Sequence, residues 1–500
     1  MDLLQNKSIT PTWALILQLL LLTFLSVIIY RRLLHPLSRT PGPPLASISR
    51  LWHIYHIIKG DQNLRLVSLH KKHGHFVRLA HNEVSVSHPD AIKKILGAPL
   101  EKGPWYKMTA IPDYRFQSPM AITDPKRKME KSKAFASGYA LTNVLRSEAQ
   151  LDAVISLLLG HLDRFAETGE QVDLDKYFTF TSFDIAGEIL FSSQFGFLET
   201  GTDVGSAIAN GYWLSMYASA MAFFYHVHVA LLGNPVVTWL NILPYGHLFD
   251  TTLNAMKRRL QDKRDDSRFD SVEHWFRAME KNPERISWRD VQAVTVSTVG
   301  AASETVSCAL QSFVYHMIRC PGAWERAREE VLELQRREGG AEERVVSWAQ
   351  AKRLVYLQAC LKEGLRMFAP VPMNLPRVVG PEGVEIGGER FDKGTILSVN
   401  SWVMHFSEEI WGEDASEFKP ERWLREDSVA LDRWFMPWGY GYNSCPGQHI
   451  ARLELSKIAA TLVRDYDISQ VNSRQEWKWQ AFFTVVQYSW PCYITARDTE

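Results

Sequence analysis

Cysteine is scarce in this chain and offers no sign of disulfide pairing. The 500 residues include only five cysteines, and no two of them form a Cys-x-x-Cys pair. They are odd in number and widely scattered, at positions 308, 320, 360, 445 and 492. This pattern excludes a small disulfide-stapled domain and indicates free thiols in a reducing compartment. With 46% apolar residues, the chain can instead bury a large core in one big domain or two packed domains.

An excess of one sign of charge is also missing. Lys plus Arg and Asp plus Glu both total 56, so the formal net charge is zero. No overall field therefore attracts nucleic acid, and we predict no nucleic-acid partner. A charged partner would have to bind to a local cluster of residues of the opposite charge. Internal repeats and low-complexity regions are absent as well, which excludes a repeat architecture.

One long hydrophobic run is present near the N-terminus. Residues 13–30, WALILQLLLLTFLSVIIY, carry no charge and are about long enough to cross a bilayer as a helix. A cleaved signal peptide is the alternative, but its basic end should precede the apolar run, whereas here Arg31 and Arg32 follow it. Positive flanks stay cytosolic, so we predict a single-pass anchor in the endoplasmic reticulum membrane, with residues 1–12 in the lumen.

The rest of the chain divides into a hinge and a globular part. Residues 31–44 are basic and proline-rich, which predicts a stiff hinge after the anchor. Residues 45–500 are predicted to form a cytosolic globular domain. Helical periodicity dominates from about residue 90 to 368, while alternating patterns near 75–86, 384–399 and 482–488 predict strands. The expected fold class is mainly α with a small β part.

A cysteine in a glycine-rich turn is the most informative local feature. Cys445 lies in WGYGYNSCPG, residues 438–447, which we call the cysteine loop, and an apolar-periodic run at 450–463 predicts a helix directly after it. Glycines allow backbone to approach a flat cofactor, and a helix N-terminus favours a thiolate over a thiol. An isolated cysteine is more often core material. The surrounding spacing decides between these interpretations.

The cysteine loop resembles the haem-binding signature of cytochromes P-450, in which an aromatic residue, Gly, a basic residue, Cys and Gly recur at fixed intervals. Trp438, Gly441, Cys445 and Gly447 match that pattern. The resemblance implies a large helical domain with buried haem b, a small β-rich domain, and Cys445 as the axial ligand that pushes electron density onto the iron. Trp438 replaces the usual Phe. Asn443 stands where the family has a basic residue on a haem propionate, and its amide can donate a hydrogen bond but cannot neutralise a carboxylate.

Two further motifs follow the family's order and imply a structural triad. Glu363 and Arg366 are three residues apart in a helical stretch, which places them on one face. Alone, such pairs are common on solvated helices. The segment FKPERW at 418–423 lies at the family's distance downstream and contains Arg422. The resemblance implies a buried triad of Glu363, Arg366 and Arg422 with an architectural role before the cysteine loop.

A long helical run resembles the family's oxygen-activating helix. It opens with Ser287-x-x-Asp290, a predicted N-terminal cap, and contains Glu304 and Thr305. The resemblance implies that the Thr305 hydroxyl bonds a backbone carbonyl and bends the helix, while the Glu304 carboxylate relays protons. Ala302 stands where the family commonly has Gly. Taken singly, a Glu-Thr pair in a helix is more often structural.

A basic segment gives the remaining cofactor contacts. Residues 124–133, DPKRKMEKSK, would ordinarily form a solvated face. The resemblance implies instead that Lys131 or Lys133 contacts a haem propionate and that the segment docks an acidic electron donor. Arg377 is a further candidate for a propionate, and could offset Asn443.

The pocket walls expected from the resemblance are mostly apolar or aromatic. This composition favours a hydrophobic organic substrate of moderate size, although core packing explains the same residues equally well. Residues 212–229 are also candidates for contact with the membrane surface. The segments are 105–116, 212–225, the helix before Thr305, 369–375 and 482–487.

The function implied is haem-dependent monooxygenation. Electrons would come from NADPH through NADPH-cytochrome P-450 reductase, with cytochrome b5 as a second candidate donor, and one atom of O2 would enter the substrate. The resemblance is nearest to microsomal enzymes of filamentous fungi that tailor secondary metabolites. A haem-thiolate isomerase or dehydratase that needs no reductase is an alternative, which the intact Glu304-Thr305 pair disfavours. A non-enzymatic haem-binding scaffold or sensor is another, supported only by Asn443.

Overall fold

The computed structural model describes residues 11–240, 246–261, 270–338 and 343–497. The predicted lumenal segment, residues 1–12, therefore lies almost entirely outside the described residues. The chain is mostly helical, at 63%, with small sheets. The predicted fold class is confirmed.

Helices form most of the described structure. Many begin at a proline or at a polar capping residue, which supplies a fixed φ or an acceptor for the first free N–H groups. The α-helices are α1 (Pro11–Ile29), α2 (Pro44–Ile48), α3 (Leu51–Lys59), α4 (Gln62–His73), α5 (Pro125–Phe135), α6 (Leu141–Val144), α7 (Glu148–Thr168), α8 (Leu174–Phe191), α9 (Phe197–Thr200), α10 (Ala207–Met221), α11 (Tyr225–Leu231), α12 (Pro235–Leu240), α13 (Gly246–Gln261), α14 (Ser271–Lys281), α15 (Trp288–Met317), α16 (Ala323–Glu338), α17 (Trp348–Ala351), α18 (Val355–Met367), α19 (Ser401–His405), α20 (Glu408–Trp411) and α21 (Gln448–Asp465). Turns of π-helix cover Tyr30–Leu34 and Ile92–Leu96, and turns of 3-10 helix cover Pro36–Arg39, Pro104–Thr109, Ala136–Tyr139, Leu145–Ser147, Val204–Ser206, Ala222–Phe224, Pro420–Trp423, Glu426–Arg433 and Gly441–Asn443.

The strands form four small sheets in the described residues. The largest has the order β1-β2-β8-β5-β3, with β2 and β8 parallel and the other neighbours antiparallel. The others are β4-β12-β9, β10-β11 and β6-β7. The strands are β1 (Phe76–Ala80), β2 (Glu83–Val86), β3 (Glu101–Lys102), β4 (Val172–Asp173), β5 (Leu375–Val378), β6 (Val384–Ile386), β7 (Glu389–Phe391), β8 (Ile396–Val399), β9 (Tyr466–Gln470), β10 (Trp479–Ala481), β11 (Val485–Gln487) and β12 (Pro491–Ala496).

One predicted strand region has different bounds. The patterns near 75–86 and 384–399 correspond to β1 and β2 and to β6, β7 and β8. The predicted strand pair at 482–488 instead begins earlier, at β10, and residues 482–484 form the turn before β11. The Phe482 N–H donates to the Thr484 carbonyl at 3.0 Å, which closes that turn. This turn packs inward and is therefore apolar, and an apolar composition is also typical of a strand.

The central helix is α15. Its Ser287 hydroxyl accepts from the Asp290 N–H at 3.2 Å, and the Asp290 carboxylate accepts from the Ser287 N–H at 2.8 Å. The predicted cap is therefore confirmed. The helix packs against α8, α18 and α21, and its middle is buried in the main hydrophobic core. This position buries Ser303, while Ala301 is exposed and Glu304 and Thr305 are partly buried.

Within the described part of the chain, three helical segments are long and apolar enough to cross a membrane. Within Trp13–Leu34, none of the apolar window is buried, whereas 61% of the window in Trp288–Met317 lies inside the fold. The N-terminal helix is thus the candidate that packing leaves uncovered. After it, the Arg31 guanidinium donates to the Ile48 carbonyl at 2.7 Å, and that of Arg32 donates to the Pro44 carbonyl at 3.2 Å. The predicted hinge is therefore tied to the first helix of the globular part.

Candidate active site

The cysteine loop is a tight turn at the start of α21. Gly441 has φ of +63°, and a Cβ at this position would lie 2.7 Å from the Leu96 carbonyl oxygen. Only glycine accepts both constraints without strain. The Cys445 N–H donates to the Trp438 carbonyl at 2.7 Å, which closes the loop.

The sulfur of Cys445 receives backbone donors. Burial raises the pKa of the Cys445 thiol, and the N–H groups of Gly447 and Gln448, which bond to the sulfur, oppose that rise. Both donors belong to the N-terminus of α21, where unpaired N–H groups favour negative charge. A buried thiolate here would need a cation to complete its stabilisation, and thiolates are strong ligands for iron.

Upstream, the Glu363 carboxylate joins several elements in what we call the Glu363 cluster. It accepts from Arg366 at 2.8 and 2.9 Å, from Arg422 at 2.8 Å and from the Trp423 indole N–H at 2.9 Å. Glu363 and Arg366 are fully buried, and Arg422 is nearly so. The structure thus brings together the residues of the triad implied by the sequence. Arg366 also donates to the carbonyls of His405 and Ala415, both at 2.7 Å.

His405 connects the Glu363 cluster to the cysteine loop, and sequence analysis missed it. Its Nδ1–H donates to the Arg366 carbonyl at 3.1 Å, and its Nε2 accepts from the Met436 N–H at 3.1 Å. Burial, reinforced by the Arg366 charge, lowers the pKa of His405 to about 3. The ring is therefore neutral, as its acceptor role at Nε2 requires. Met436 lies two residues before Trp438, where the loop begins.

The middle of α15 presents a hydroxyl and a carboxyl. The Thr305 hydroxyl donates to the Ala301 carbonyl at 2.6 Å, the bond expected from the sequence. The Glu304 carboxyl accepts from the Thr484 hydroxyl at 2.6 Å, and its other oxygen faces Gly211, where a Cβ would lie only 2.9 Å away. Burial raises the pKa of Glu304, and the Thr484 hydrogen bond partly opposes this. The carboxyl thus retains its proton at a higher pH than an ordinary glutamate.

Three buried cations lie near the cysteine loop, and we call them the cationic cluster: Lys102, Lys128 and Arg377. The Lys128 ammonium donates to the Tyr442 carbonyl, and the Lys102 ammonium donates to the Met120 carbonyl at 2.5 Å. Burial and the neighbouring cations lower the pKa of Lys102 to about 6 and that of Lys128 to about 8. None of the three forms an ion pair with a carboxylate among the described residues. The cluster therefore lacks a counter-anion.

Buried donors without acceptors adjoin this cluster. Arg377 Nε, Asn443 Nδ2 and Trp438 Nε1 have no hydrogen-bond partner among the residues that the structure describes. Buried polar groups are almost always hydrogen-bonded, so an array of unmatched donors beside unpaired cations fits an anionic group with several acceptor oxygens.

The basic segment contributes a different lysine from those expected. Lys131 pairs with Asp290 at 2.6 Å, and Lys133 is exposed. The structure brings Lys128 to the cationic cluster instead, because Lys128 and Phe135 are the buried positions of α5. Lys131 lies only one turn further along this helix, but its ammonium group is taken by Asp290, and Lys133, five positions on, faces another direction.

The comparison with family models agrees with this geometry. The model described as Cytochrome P450 matches residues 41–491. The chain belongs to the cytochrome P450 family. Cytochrome P450 monooxygenase hepC of Aspergillus oryzae is 29% identical to it over 96% of this chain and 97% of its own length. Pisatin demethylase of Fusarium vanettenii is 30% identical over 95% and 92%, and cytochrome P450 monooxygenase gsfF of Penicillium aethiopicum is 27% identical over 94% and 95%.

The P450 family implies a haem iron, and the residues of this chain fit that cofactor. Haem carries two propionates, which match the unpaired cations and unmatched donors. The Cys445 sulfur, which receives two amide N–H groups, matches a thiolate ligand. The predicted family and the predicted monooxygenase class of enzyme are confirmed. The sequence gives no signal for Lys102, a single lysine in a two-residue strand. Nor does a run of basic residues by itself reveal that Lys128 is the lysine that faces inward.

The buried charges of the Glu363 cluster give a stability prediction. Changing Glu363→Gln keeps the side-chain shape but leaves the buried Arg366 guanidinium without a counter-charge and Arg422 with only Asp414, at 3.3 Å, which should lower the free energy of unfolding by about 3–5 kcal/mol. The measurement is urea unfolding of the purified enzyme. Glu421→Gln is the matched control, because Glu421 belongs to the same 418–423 segment but forms a half-exposed pair with Arg326 at 2.8 Å. It should cost less than about 1 kcal/mol. Equal losses for the two variants would contradict the account.

Proposed function

We propose that this P450 monooxygenase inserts one atom of O2 into a hydrophobic organic substrate in fungal secondary metabolism, using electrons from NADPH through NADPH-cytochrome P-450 reductase. The observation that carries the proposal is the Cys445 sulfur, held by two backbone donors beside a cationic cluster without a counter-anion. The relatives support the setting, since they are fungal monooxygenases and one is named for demethylating pisatin.

In this proposal Cys445 would supply the sulfur ligand of the haem iron. Arg377, Lys102 and Lys128 would bind the propionates, and the Asn443 amide would add a neutral hydrogen bond where the family has a charge. When bound, the haem supplies oxygen activation, which a thiolate ligand favours by donating electron density. The chain's own contribution is to keep the sulfur ionised and to compensate the propionate charge. Lys102 and Lys128 thereby take over the task of the basic residue absent at position 443.

Lys128 gives a direct test of cofactor binding. Lys128→Met removes one charge-assisted bond, so haem should transfer to an acceptor apoprotein about tenfold faster, the equivalent of one hydrogen bond to a charged group. Transfer is followed by the change in haem absorption. Lys133→Met, an exposed position on the same helix, should leave the rate unchanged. A wild-type rate for Lys128→Met would remove this lysine from the propionate site.

Glu304 and Thr305 would manage protons. A buried carboxyl with a raised pKa can hold a proton and release it, and the adjacent Thr305 hydroxyl, bonded to the Ala301 carbonyl, keeps α15 locally open. Because the protonated form is the donor, product formation should decline as pH rises through the raised pKa of Glu304.

The Glu304→Gln variant tests that role. Since a positioned proton donor contributes on the order of 10²-fold or more, product formed per unit time should fall by about that factor and lose its high-pH decline. Product and NADPH consumption are measured together across pH. The control is Ser303→Ala, because Ser303 donates to Val299 at 2.9 Å on the same helix but is fully buried in the core. An unchanged pH profile in Glu304→Gln would exclude the carboxyl from proton transfer.

The membrane would contact more than the anchor. Exposed apolar side chains extend along α10 to α12. They include Trp213 at 62%, Leu231 at 64% and Trp239 at 83% exposure. Leu51 and Tyr55 of α3 are also exposed, and α3 packs against α10. Arg31 and Arg32, at the end of the anchor, bond to α2, the helix that directly precedes α3 in the sequence. Contiguous exposed apolar side chains mark interaction surfaces. The predicted anchor would hold this surface close to a bilayer, which is an apolar partner.

This surface predicts membrane binding without the anchor. A chain lacking residues 1–30 should still float with lipid vesicles in high salt, because apolar burial is not screened. Changing Trp213, Leu231 and Trp239 together to Ser in that chain should release it. Val429→Ser is the control, since Val429 is 77% exposed in another part of the fold. Full release of the unsubstituted truncated chain would refute this contact.

Charge on α5 supports the reductase partner. Lys126, Arg127 and Lys133 are exposed on this helix, on positions other than the buried Lys128. An acidic donor protein would be attracted to them, and the rate of electron transfer should fall as salt rises.

The decisive functional experiment uses microsomes containing the enzyme and reductase, supplied with fungal metabolite extracts under isotopically labelled O2. The proposal expects one labelled oxygen atom in a product that forms only with NADPH. A product that forms without NADPH and without label would support the isomerase or dehydratase alternative.

A further inference from the structure

The turn between β10 and β11 meets three walls of the expected pocket through consecutive residues. Phe482 contacts the Tyr212 ring of α10 edge-on at 5.2 Å. Phe483 stacks on Trp105 with centroids 5.6 Å apart and planes inclined by 22°. Thr484 donates to Glu304 of α15. These residues, Phe482 to Thr484, form what we call the hairpin tip.

The hairpin tip is held rigidly from behind. The Gln62 amide donates to the Phe482 carbonyl at 3.2 Å, and the Val485 N–H donates to the Pro370 carbonyl at 2.9 Å. Trp105 is itself fixed, since its indole N–H donates to the Ser219 carbonyl at 3.1 Å and the side chain is 5% exposed. The plane of the Phe483 ring is therefore set before any ligand arrives, which reduces the cost of ordering it on binding.

Phe483 offers a flat aromatic surface. Trp105 covers one face of its ring, and the side chain as a whole is only partly buried. An aromatic ring stacks on such a surface with a favourable offset geometry that a saturated ring of the same size lacks.

A polar group lies next to this surface. One oxygen of Glu304 accepts from Thr484, but the other accepts no hydrogen bond from the described residues. Burial favours the neutral carboxyl, as the raised pKa of Glu304 indicates. A ligand hydroxyl suits this oxygen in either protonation state, because a hydroxyl both donates and accepts. A bound ligand that covers this oxygen without a hydrogen bond leaves it desolvated and unmatched, which is costly, so a ligand that lacks the hydroxyl is disfavoured.

We propose that the hairpin tip and Glu304 form a subsite for a planar aromatic ring that carries a hydroxyl group, the chemistry of a phenol. The ring stacks on the face of Phe483 opposite Trp105, while its hydroxyl bonds to the Glu304 oxygen that does not accept from Thr484. The inference rests on the proposed function, of which it specifies the substrate class.

Three probes separate the two parts of this recognition in the full-length, haem-loaded enzyme. They are 2-naphthol, naphthalene, which lacks the hydroxyl, and decahydro-2-naphthol, which lacks the aromatic rings. Equilibrium dialysis gives each dissociation constant. We expect 2-naphthol to bind about tenfold more tightly than naphthalene, the value of one matched buried hydrogen bond. It should bind about threefold to tenfold more tightly than decahydro-2-naphthol, the value of an aromatic contact.

Two variants should each remove one preference. Thr484→Val releases the Glu304 carboxyl from its fixed position, so the preference for 2-naphthol over naphthalene should fall towards one while the aromatic preference persists. Phe483→Leu should lower the preference for 2-naphthol over decahydro-2-naphthol towards one, while the preference for 2-naphthol over naphthalene persists. Thr484→Ser retains the hydroxyl and should behave as wild type.

The outcomes distinguish this subsite from the proposed function. Wild-type enzyme that binds decahydro-2-naphthol or naphthalene as tightly as 2-naphthol overturns the subsite, whatever the variants do. Loss of both preferences together in both variants also overturns it, because it would indicate a general disturbance of the pocket. The carbon-monoxide difference spectrum of each sample is recorded in parallel. A thiolate-type spectrum with no probe preference rejects the subsite alone, whereas its absence in wild type rejects the proposed function.

Discussion

The buried Glu363 carboxylate is the interaction on which the arrangement of the site depends. It pairs with the guanidinium groups of Arg366 and Arg422, which come from α18 and from the 3-10 turn Pro420–Trp423, and Asp414 adds a second carboxylate at Arg422. Desolvated charges are tolerated only when each is paired and hydrogen-bonded, so the elements that carry them have little freedom to separate. Through the neutral His405 ring, this constraint extends to Met436 and the start of the cysteine loop. The start of the cysteine loop is thus tied to the Glu363 cluster through a single buried imidazole.

The site also shows the opposite condition, in which charges and donors lack partners. Lys102, Lys128 and Arg377 are buried together, and the neighbouring Asn443 amide has an unmatched donor. A folded chain retains such groups where a ligand completes them. Bound haem would do so with its propionates, and the cost of burying the cations before it binds would become part of the binding free energy of the complete enzyme. On this proposal the compensating charge for position 443, which has no basic residue, would come from elsewhere in the fold.

Sequence reasoning succeeded where a local pattern dictates a local structure. The Ser287–Asp290 cap, the helix after the cysteine loop and the hairpin of β1 and β2 follow from capping, glycine and alternation signals. It did not reach features that depend on which face of an element turns inward. Lys128 rather than Lys131 or Lys133 faces the cationic cluster because of how α5 packs, and His405 acquires its role from contacts with residues far away in sequence. Residues 482–484 were predicted to be part of a strand because a turn that packs inward has as many apolar residues as a strand.

The account rests centrally on an ionised Cys445 sulfur bonded to haem iron. The measurement that tests this most directly compares the carbon-monoxide difference spectra of reduced wild-type and Cys445→Ser enzyme, together with their haem content. The account predicts a red-shifted, thiolate-type band in the wild type that Cys445→Ser loses, because an alcohol oxygen does not donate electron density as a thiolate does. A Cys445→Ser enzyme that binds haem and gives the same red-shifted band would contradict it.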